Sequence, residues 1–168
     1  MPHLNLATRE RLPTESIADY IENYVKPEYE ALKEAEIQLG GRPLTFRREP
    51  ILQNMEAGLE HIVTEFKGKP GRMRAVIMDD RCACISWIKQ VLENFDHCEN
   101  IVWYREERNN VSDMVIILTE NADGPPFKIV LSPRPSGWLL VTAYPLRAKR
   151  LVKALQAHAD FVIQLAQV

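Results

Sequence analysis

Long apolar stretches are missing from this sequence of 168 residues. None approaches the roughly 20 consecutive apolar residues that a membrane-spanning helix needs. The N-terminal stretch also lacks the apolar segment of about 7–15 residues that marks a secretory signal. These absences argue against a membrane partner and predict a cytoplasmic protein, while delivery into a target cell by a route without a signal peptide stays open.

Cysteine is scarce and odd in number, with only Cys82, Cys84 and Cys98. The sequence has no C-x-x-C pair, so neither a disulfide framework nor a zinc knuckle is indicated. Free cysteines are among the most frequently buried residues in proteins. We therefore predict reduced, partly buried thiols in a reducing compartment.

Motifs that define common enzyme classes are absent as well. The sequence has no metal-binding motif, P-loop, dinucleotide fingerprint or nucleophile elbow, so we expect neither a metal nor a cofactor. Chemistry that uses only acid and base groups remains. Cleavage of an RNA phosphodiester in this way needs a base for the 2′-hydroxyl, an acid for the leaving oxygen, and cations around the charged phosphorane.

Positive charge is clustered although the net charge is −2. That net charge is not the strongly basic balance of many nucleic-acid-binding domains. Two acid-free islands are nevertheless candidate anion sites. The first contains Lys67, Lys69, Arg72 and Arg74, and the second contains Arg147, Lys149, Arg150 and Lys153. The alternative for the second island is a solvated basic turn, because cations at the start of a helix cost little.

The first 40 residues are acidic and have a helical pattern. One helical segment is predicted from Pro13 to about Val25, and a second runs to about Leu39, where Gly40-Gly41 ends it. We predict one domain, residues 1–168, in which residues 1–40 are an acidic helical extension of a core formed by residues 41–168. The acidic helices are a candidate surface for a protein partner, and a solvated structural layer is the alternative.

An apolar stripe after Pro50 predicts an amphipathic helix. Its members are Leu52, Met55, Leu59, Ile62, Val63 and Phe66. His61 lies about 100° from this stripe at 3.6 residues per turn, so we expect it on the flank of the helix. Residues 67–72 are predicted to form a loop. A further helix follows, with Asp79 or Asp80 as its cap.

The pattern changes after Asn100 to short runs of β-branched and aromatic residues. The predicted strands are about Ile101–Glu106, Met114–Thr119, Phe127–Ser132 and Trp138–Tyr144. Their connections are too short for a crossover helix, so successive strands should pair antiparallel. A final helix is predicted from about Leu146 to Gln167, with Leu151, Leu155, Val162 and Leu165 buried. The predicted class is α+β, with N-terminal helices, a four-stranded antiparallel β-meander and a C-terminal helix.

The last strand carries two hydroxyl side chains near its end. Period-two alternation places Trp138, Leu140, Thr142 and Tyr144 on one face. With Pro133–Gly137 as the preceding loop, Lys128 should lie opposite Thr142 on an exposed face, where a cation and a hydroxyl could hold a phosphate. The alternative is a purely structural tyrosine and threonine at a strand end.

Several short motifs occur in an order that resembles a known enzyme group. They are a helix with His61; Ile85-Ser86-Trp87-Ile88 leading into Val91-Leu92-Glu93-Asn94; Tyr104 on a first strand; Lys128-Ile129-Val130 on a later one; and Val141-Thr142-Ala143-Tyr144-Pro145 closing the sheet. This order resembles the metal-independent RNase superfamily that includes barnase, EndoU, colicin D and RelE, particularly its phage-associated and toxin-type members. The similarity covers about residues 51–146.

The resemblance implies a role for each matching position, with RNA, tRNA among the candidates, lying across an exposed sheet face. It makes His61 the acid or base on the helix, and Arg74 or Arg81 a phosphate ligand. Tyr104 and Lys128 become contacts on the sheet. Thr142 and Tyr144 become the pair on the last strand. Independently of the resemblance, Arg147 of the second basic island is also a candidate binding residue.

The chain departs from this superfamily in two respects. No histidine lies on the predicted strands, which leaves the second proton-transfer role unassigned, and the acidic N-terminal residues have no counterpart. We therefore expect a metal-independent RNA-cleaving or RNA-binding domain. The alternative is a non-catalytic interaction or effector module that engages another protein through its acidic helices or its sheet edge.

Overall fold

The computed structural model describes residues 2–167 and has an α+β architecture. The helices are α1 (Ile17–Tyr20), which passes through a π-helical turn (Ile21–Val25) into α2 (Lys26–Glu34), then α3 (Ala57–Val63), α4 (Asp79–Ala83), α5 (Trp87–Glu93) and α6 (Ala148–Ala166). The strands are β1 (Gln38–Leu39), β2 (Arg42–Thr45), β3 (Ile51–Leu52), β4 (Met55–Glu56), β5 (Thr64–Lys67), β6 (Arg74–Ile77), β7 (Ile101–Arg108), β8 (Val111–Leu118), β9 (Phe127–Arg134) and β10 (Gly137–Pro145). None of the helices within residues 2–167 is both long enough and apolar enough to cross a membrane.

The main sheet is six-stranded and mixed, in the order β1-β2-β10-β9-β8-β7. Strands β7 to β10 pair antiparallel in sequence, but β2 joins β10 in parallel and β1 extends the sheet further. The predicted four-stranded meander is therefore not the whole sheet. Gly40 and Gly41 both have positive φ and connect β1 to β2 as a hairpin turn, so they do not simply end a helix.

The N-terminal 40 residues contribute to the main core. Tyr20, Val25, Tyr29 and Leu32 are buried in the same apolar cluster as Ile116 of β8. The acidic side chains of these helices face solvent, while their apolar side chains pack against the rest of the protein. This region is thus not a solvated layer on a finished core.

Two asparagines hold the extended segment that precedes α1. The side chain of Asn100 accepts a hydrogen bond from the Leu4 amide at 2.9 Å and donates to the Leu4 carbonyl at 2.8 Å. Asn121 makes the same pair of bonds with Leu6, both at 2.8 Å. Each amide side chain therefore pairs with the backbone as a neighbouring strand would, and the segment is fixed at Leu4 and Leu6.

The amphipathic helix predicted after Pro50 is shorter than its apolar stripe. Residues 51–56 form the β3–β4 hairpin, in which Gln53 and Asn54 have positive φ, and only Ala57–Val63 is helical. The β5–β6 hairpin begins immediately afterwards. As a consequence Phe66, predicted to face a core, is 65% exposed.

The last hairpin corrects the predicted register. Gly137 pairs with Arg134, so the connection contains only two unpaired residues, and a β-bulge at Val141 shifts the pairing by one. Lys128 lies opposite Tyr144 and not opposite Thr142. A Cβ at Gly137 would collide with the carbonyl of Pro43, which explains why this position, next to strand β2, is glycine.

The bulge also changes which side chains share a face. The core face of the sheet includes Trp138, Leu140 and Ala143, which belong to the main apolar cluster. Thr142 and Tyr144 lie on the opposite side, here called the outer face, together with Tyr104, Glu106 and Lys128. The predicted grouping of Trp138 and Leu140 with Thr142 and Tyr144 is therefore wrong, because alternation does not continue through a bulge.

Helix α6 covers part of the outer face. Leu151, Ala154 and Phe161 pack towards Tyr104 and Ile117, and the ring of Phe161 lies 5.3 Å from that of Trp103. Of the four residues predicted to be buried, only Leu151 is in this contact. Leu155, Val162 and Leu165 are 39%, 47% and 56% exposed. The small side chains of Ala154 and Ala157 let a different side of the helix approach the sheet.

Candidate functional site

The candidate site lies on the outer face, where three cavities meet at Tyr144. The largest, about 720 Å³, lies between the sheet and α6. A second of about 160 Å³ opens towards His61 on α3, and a third of about 80 Å³ opens towards Arg81 on α4. Tyr144 lines all three, and Lys128 lines the first two. The β9–β10 register brings these two residues together, because they are directly paired.

Two cations lie close to the ring of Tyr144. The Arg81 guanidinium carbon lies 5.0 Å from the ring centroid, and the Lys128 ammonium nitrogen lies 5.8 Å from it. Arg81 is held in place because it donates a hydrogen bond to the Thr64 carbonyl at 2.9 Å. Among the described residues, neither cation forms a salt bridge with a carboxylate. Because neither cation is held in a direct ion pair, both are available to an anion at this position.

His61 faces the same region from α3. It lines the second cavity with Lys128, Thr142 and Tyr144. Although the side chain retains solvent access, partial burial lowers the pKa of His61, and nearby arginines including Arg81 lower it further against the opposing effect of Glu60. The imidazole is therefore favoured in its neutral form, which can accept a proton.

The floor of the large cavity is apolar. Tyr104 is buried beneath α6, and burial raises its pKa to about 12. Its phenol is thus a structural part of the cavity and not an exposed contact on the sheet. Arg150 and Lys153 line the same cavity from the first turns of α6. The second basic island therefore faces the site with at least two of its members.

The structure separates the predicted site residues into two groups. One group lines the three cavities, namely His61, Arg81, Tyr104, Lys128, Thr142, Tyr144 and Arg147. The other lies on the β5–β6 hairpin, outside these cavities, namely Lys67, Lys69, Arg72 and Arg74. The first basic island is therefore next to the candidate site and not within it.

The sequence reasoning missed Glu106, whose side chain lines both the large cavity and the one near His61. Glu106 is two residues after Tyr104 on the same strand, so period-two alternation alone indicates a shared face. Arg108, two residues further on, also lines the cavity near His61 and pairs with Asp113 at 3.3 Å. The site therefore has both acidic and basic walls.

The cysteines take no part in this arrangement. All three are buried and free, and burial raises the pKa of Cys82 and of Cys84 to about 12. Such thiols are protonated at neutral pH and are poor nucleophiles. Their role is packing.

Comparison of the chain with protein-family models, with curated proteins and with solved structures gives no significant match. Its function is therefore inferred from the geometry and chemistry of the site.

Proposed function

We propose that the outer face binds RNA and cleaves it by a metal-independent transfer of the phosphate to the adjacent 2′-hydroxyl. The observation that supports this proposal is the ring of Tyr144 close to both Lys128 and Arg81, with His61 lining a cavity shared with Lys128 and Tyr144. This set contains a neutral imidazole, a hydroxyl donor and two cations without carboxylate partners among the described residues. These are the groups that a phosphodiester transfer requires.

The proposed reaction begins with His61. Its neutral imidazole removes the proton from the 2′-hydroxyl, and the 2′-oxygen then forms a bond to phosphorus. Lys128 and Arg81 stabilise the additional negative charge of the phosphorane. As the bond from phosphorus to the 5′-oxygen breaks, the Tyr144 hydroxyl gives its proton to the leaving oxygen. The products are a 2′,3′-cyclic phosphate and a free 5′-hydroxyl.

Cleavage assays in EDTA test this proposal. Total RNA and tRNA are incubated with the purified protein, with His61→Ala and with Tyr144→Phe. We expect cleavage by the unaltered protein and a loss of about 10²–10⁴-fold in either variant, the usual contribution of a proton-transfer group. Tyr24→Phe, a change on the N-terminal helices, is the matched control. Equal cleavage by all variants would identify a contaminating nuclease, and no cleavage by a folded protein would exclude the activity.

A protein-interaction module is the second candidate, and the outer side of α6 favours it. Val152, Leu155, Ala159, Val162 and Ala166 are all exposed and repeat at alternating steps of three and four residues, the spacing of a coiled-coil seam. Lysine and arginine occur only in the first half of α6, and its one acidic residue, Asp160, is in the second half. An antiparallel pair with α6 of a second copy therefore places opposite charges together.

Light scattering over a concentration series tests this second candidate. The antiparallel pairing predicts a dimer that the double variant Leu155→Gln with Val162→Gln converts to a monomer. Leu12→Gln removes a similarly exposed apolar side chain elsewhere and should leave the dimer intact. A chain that is monomeric at every concentration would exclude self-association through α6.

A further inference from the structure

The β5–β6 hairpin projects from the body of the protein. Its strands pair only with each other, and every residue from Phe66 to Arg74 is exposed. The tip is closed by a hydrogen bond from the Arg72 amide to the Lys69 carbonyl at 2.8 Å. Gly68 has φ +129°, and a Cβ there would lie 2.6 Å from the carbonyl oxygen of Arg72. The tight tip therefore requires glycine.

Anchoring at its base holds this hairpin in place. Thr64 is buried, and Ile77 packs against the main apolar cluster. Arg81 donates to the Thr64 carbonyl, and the Met78 amide donates to the Val63 carbonyl at 2.8 Å. An isolated two-stranded hairpin is marginally stable in water, so these contacts at the base position the exposed part.

The exposed part of the hairpin combines apolar and cationic side chains. Phe66 is 65% exposed and Met73 is 56% exposed. Between and beside them lie Lys67, Lys69, Arg72 and Arg74, with no acidic residue from 66 to 74. An exposed aromatic residue among cations is the composition of a surface that stacks nucleic-acid bases and neutralises their phosphates.

The cationic side of the hairpin leads towards the candidate site. Lys67 lies opposite Arg74, and alternation places both on the same face as Glu65. Glu65 lines the third cavity together with Arg81, Arg147 and Tyr144. The cationic face of the hairpin therefore adjoins the cavity that holds Arg81, Arg147 and Tyr144, whose wall also carries the acidic side chains of Glu65 and Asp80.

We propose that the β5–β6 hairpin binds the single-stranded segment of an RNA substrate, with a base stacked on Phe66 and phosphates on the surrounding cations. This inference rests on the proposed function, because it takes the RNA bound by the hairpin to be the same RNA whose phosphodiester is cleaved at Tyr144. In a duplex the bases are already stacked on each other and no base face is free for Phe66. A flexible single strand can place a base on one face of the hairpin and its phosphates along the other.

Fluorescence anisotropy with a labelled 2′-O-methyl oligonucleotide tests the inference without cleavage, because the attacking hydroxyl is blocked. Phe66→Ala should weaken binding by about 5- to 100-fold, the effect of losing one base–aromatic stack. Phe66→Trp should retain affinity, while Phe66→Leu should bind as poorly as Phe66→Ala. Ile51→Ala, which removes an exposed apolar side chain from another hairpin, is the matched control and should bind normally.

Three outcomes would overturn the inference. One is that Phe66→Leu binds as the unaltered protein does, because leucine has no aromatic face. Another is equal affinity for a blunt RNA duplex. A third is co-sedimentation with anionic phosphatidylserine vesicles that Phe66→Ala abolishes, which would assign the hairpin to a membrane surface. Absence of the proposed cleavage activity would give a different result. In that case oligonucleotide binding would still depend on Phe66, while RNA remained uncleaved.

Discussion

The two faces of the main sheet differ although the same strands form them. The core face is filled by apolar side chains and sealed by the N-terminal helices, α4 and α5. The outer face is covered by α6 over only part of its area, and it leaves Lys128, Thr142 and Tyr144 next to cavities. Period-two alternation gives a sheet two chemically distinct faces, but the elements packed against each face decide which one is available for function.

Removing the N-terminal helices, which cover the core face, should have the largest effect on stability. A fragment that begins at Gly41 lacks the buried side chains of Tyr20, Val25, Tyr29 and Leu32. We expect it to be insoluble or to lack fixed tertiary structure, because the lost apolar burial is worth several kcal/mol. Near-UV circular dichroism of the fragment against the full chain measures this. A well-folded fragment would show that residues 1–40 are a removable extension after all.

Substitutions at two positions of the same strand compare the contributions of the two faces to stability. Leu140 is buried in the core face, so Leu140→Ala should lower the free energy of unfolding by about 2–5 kcal/mol. Thr142 lies on the outer face beyond the bulge, and Thr142→Ala should lower it by less than about 1 kcal/mol. Urea unfolding of both variants gives the two values. Similar losses at the two positions would contradict the assignment of faces.

Salt dependence sharpens the comparison for nucleic-acid binding. Arg150→Gln and Lys153→Gln change cations on the cavity of the outer face. Each should reduce the slope of log affinity against log salt by about 0.7, the value for one phosphate contact on a single strand. Lys89→Gln is the matched control, because Lys89 lies on α5 and pairs with Glu93 at 3.5 Å. An affinity that stays flat between about 50 and 200 mM salt would exclude a phosphate-based interaction.

The smallest expected effect concerns the protonation of His61. Its pKa is lowered from 6.5, so cleavage should increase with pH through a value below 6.5 and then level off. Glu60→Gln removes an anion and should lower the pKa of His61 further, while Arg108→Gln removes a cation and should raise it. Titration of the imidazole by NMR checks both directions. Shifts of the opposite sign would mean that other charges control His61.

The lowered pKa of His61 also makes the stability of the fold depend on pH. A histidine whose pKa is lower in the folded state binds fewer protons there than in the unfolded chain. The free energy of unfolding therefore decreases as the pH falls from the pKa of the unfolded state through the lower pKa of the folded state. Because the His61 side chain is exposed, we expect this contribution to be small. The pH dependence of activity is therefore the more sensitive measurement.

The sequence by itself determined the local features of this protein. Runs of β-branched and aromatic residues located the last four strands, and short connections predicted their antiparallel order, which is the pairing observed. The odd set of cysteines predicted partly buried thiols outside any disulfide framework, and all three cysteines are buried and free. Such features depend on residues near one another in the chain, so their periodicity and turn chemistry are sufficient.

Only the tertiary structure decided how these elements combine into a site. The bulge at Val141 and the two-residue turn before Gly137 set the pairing of Lys128 with Tyr144. The parallel strand β2, nearly 100 residues away in sequence, approaches Gly137 and completes the sheet. Packing of small residues under α6 turned Leu155 outward, and the early end of α3 exposed Phe66. A local pattern gives the period of a strand or helix, but its orientation depends on contacts between residues distant in sequence.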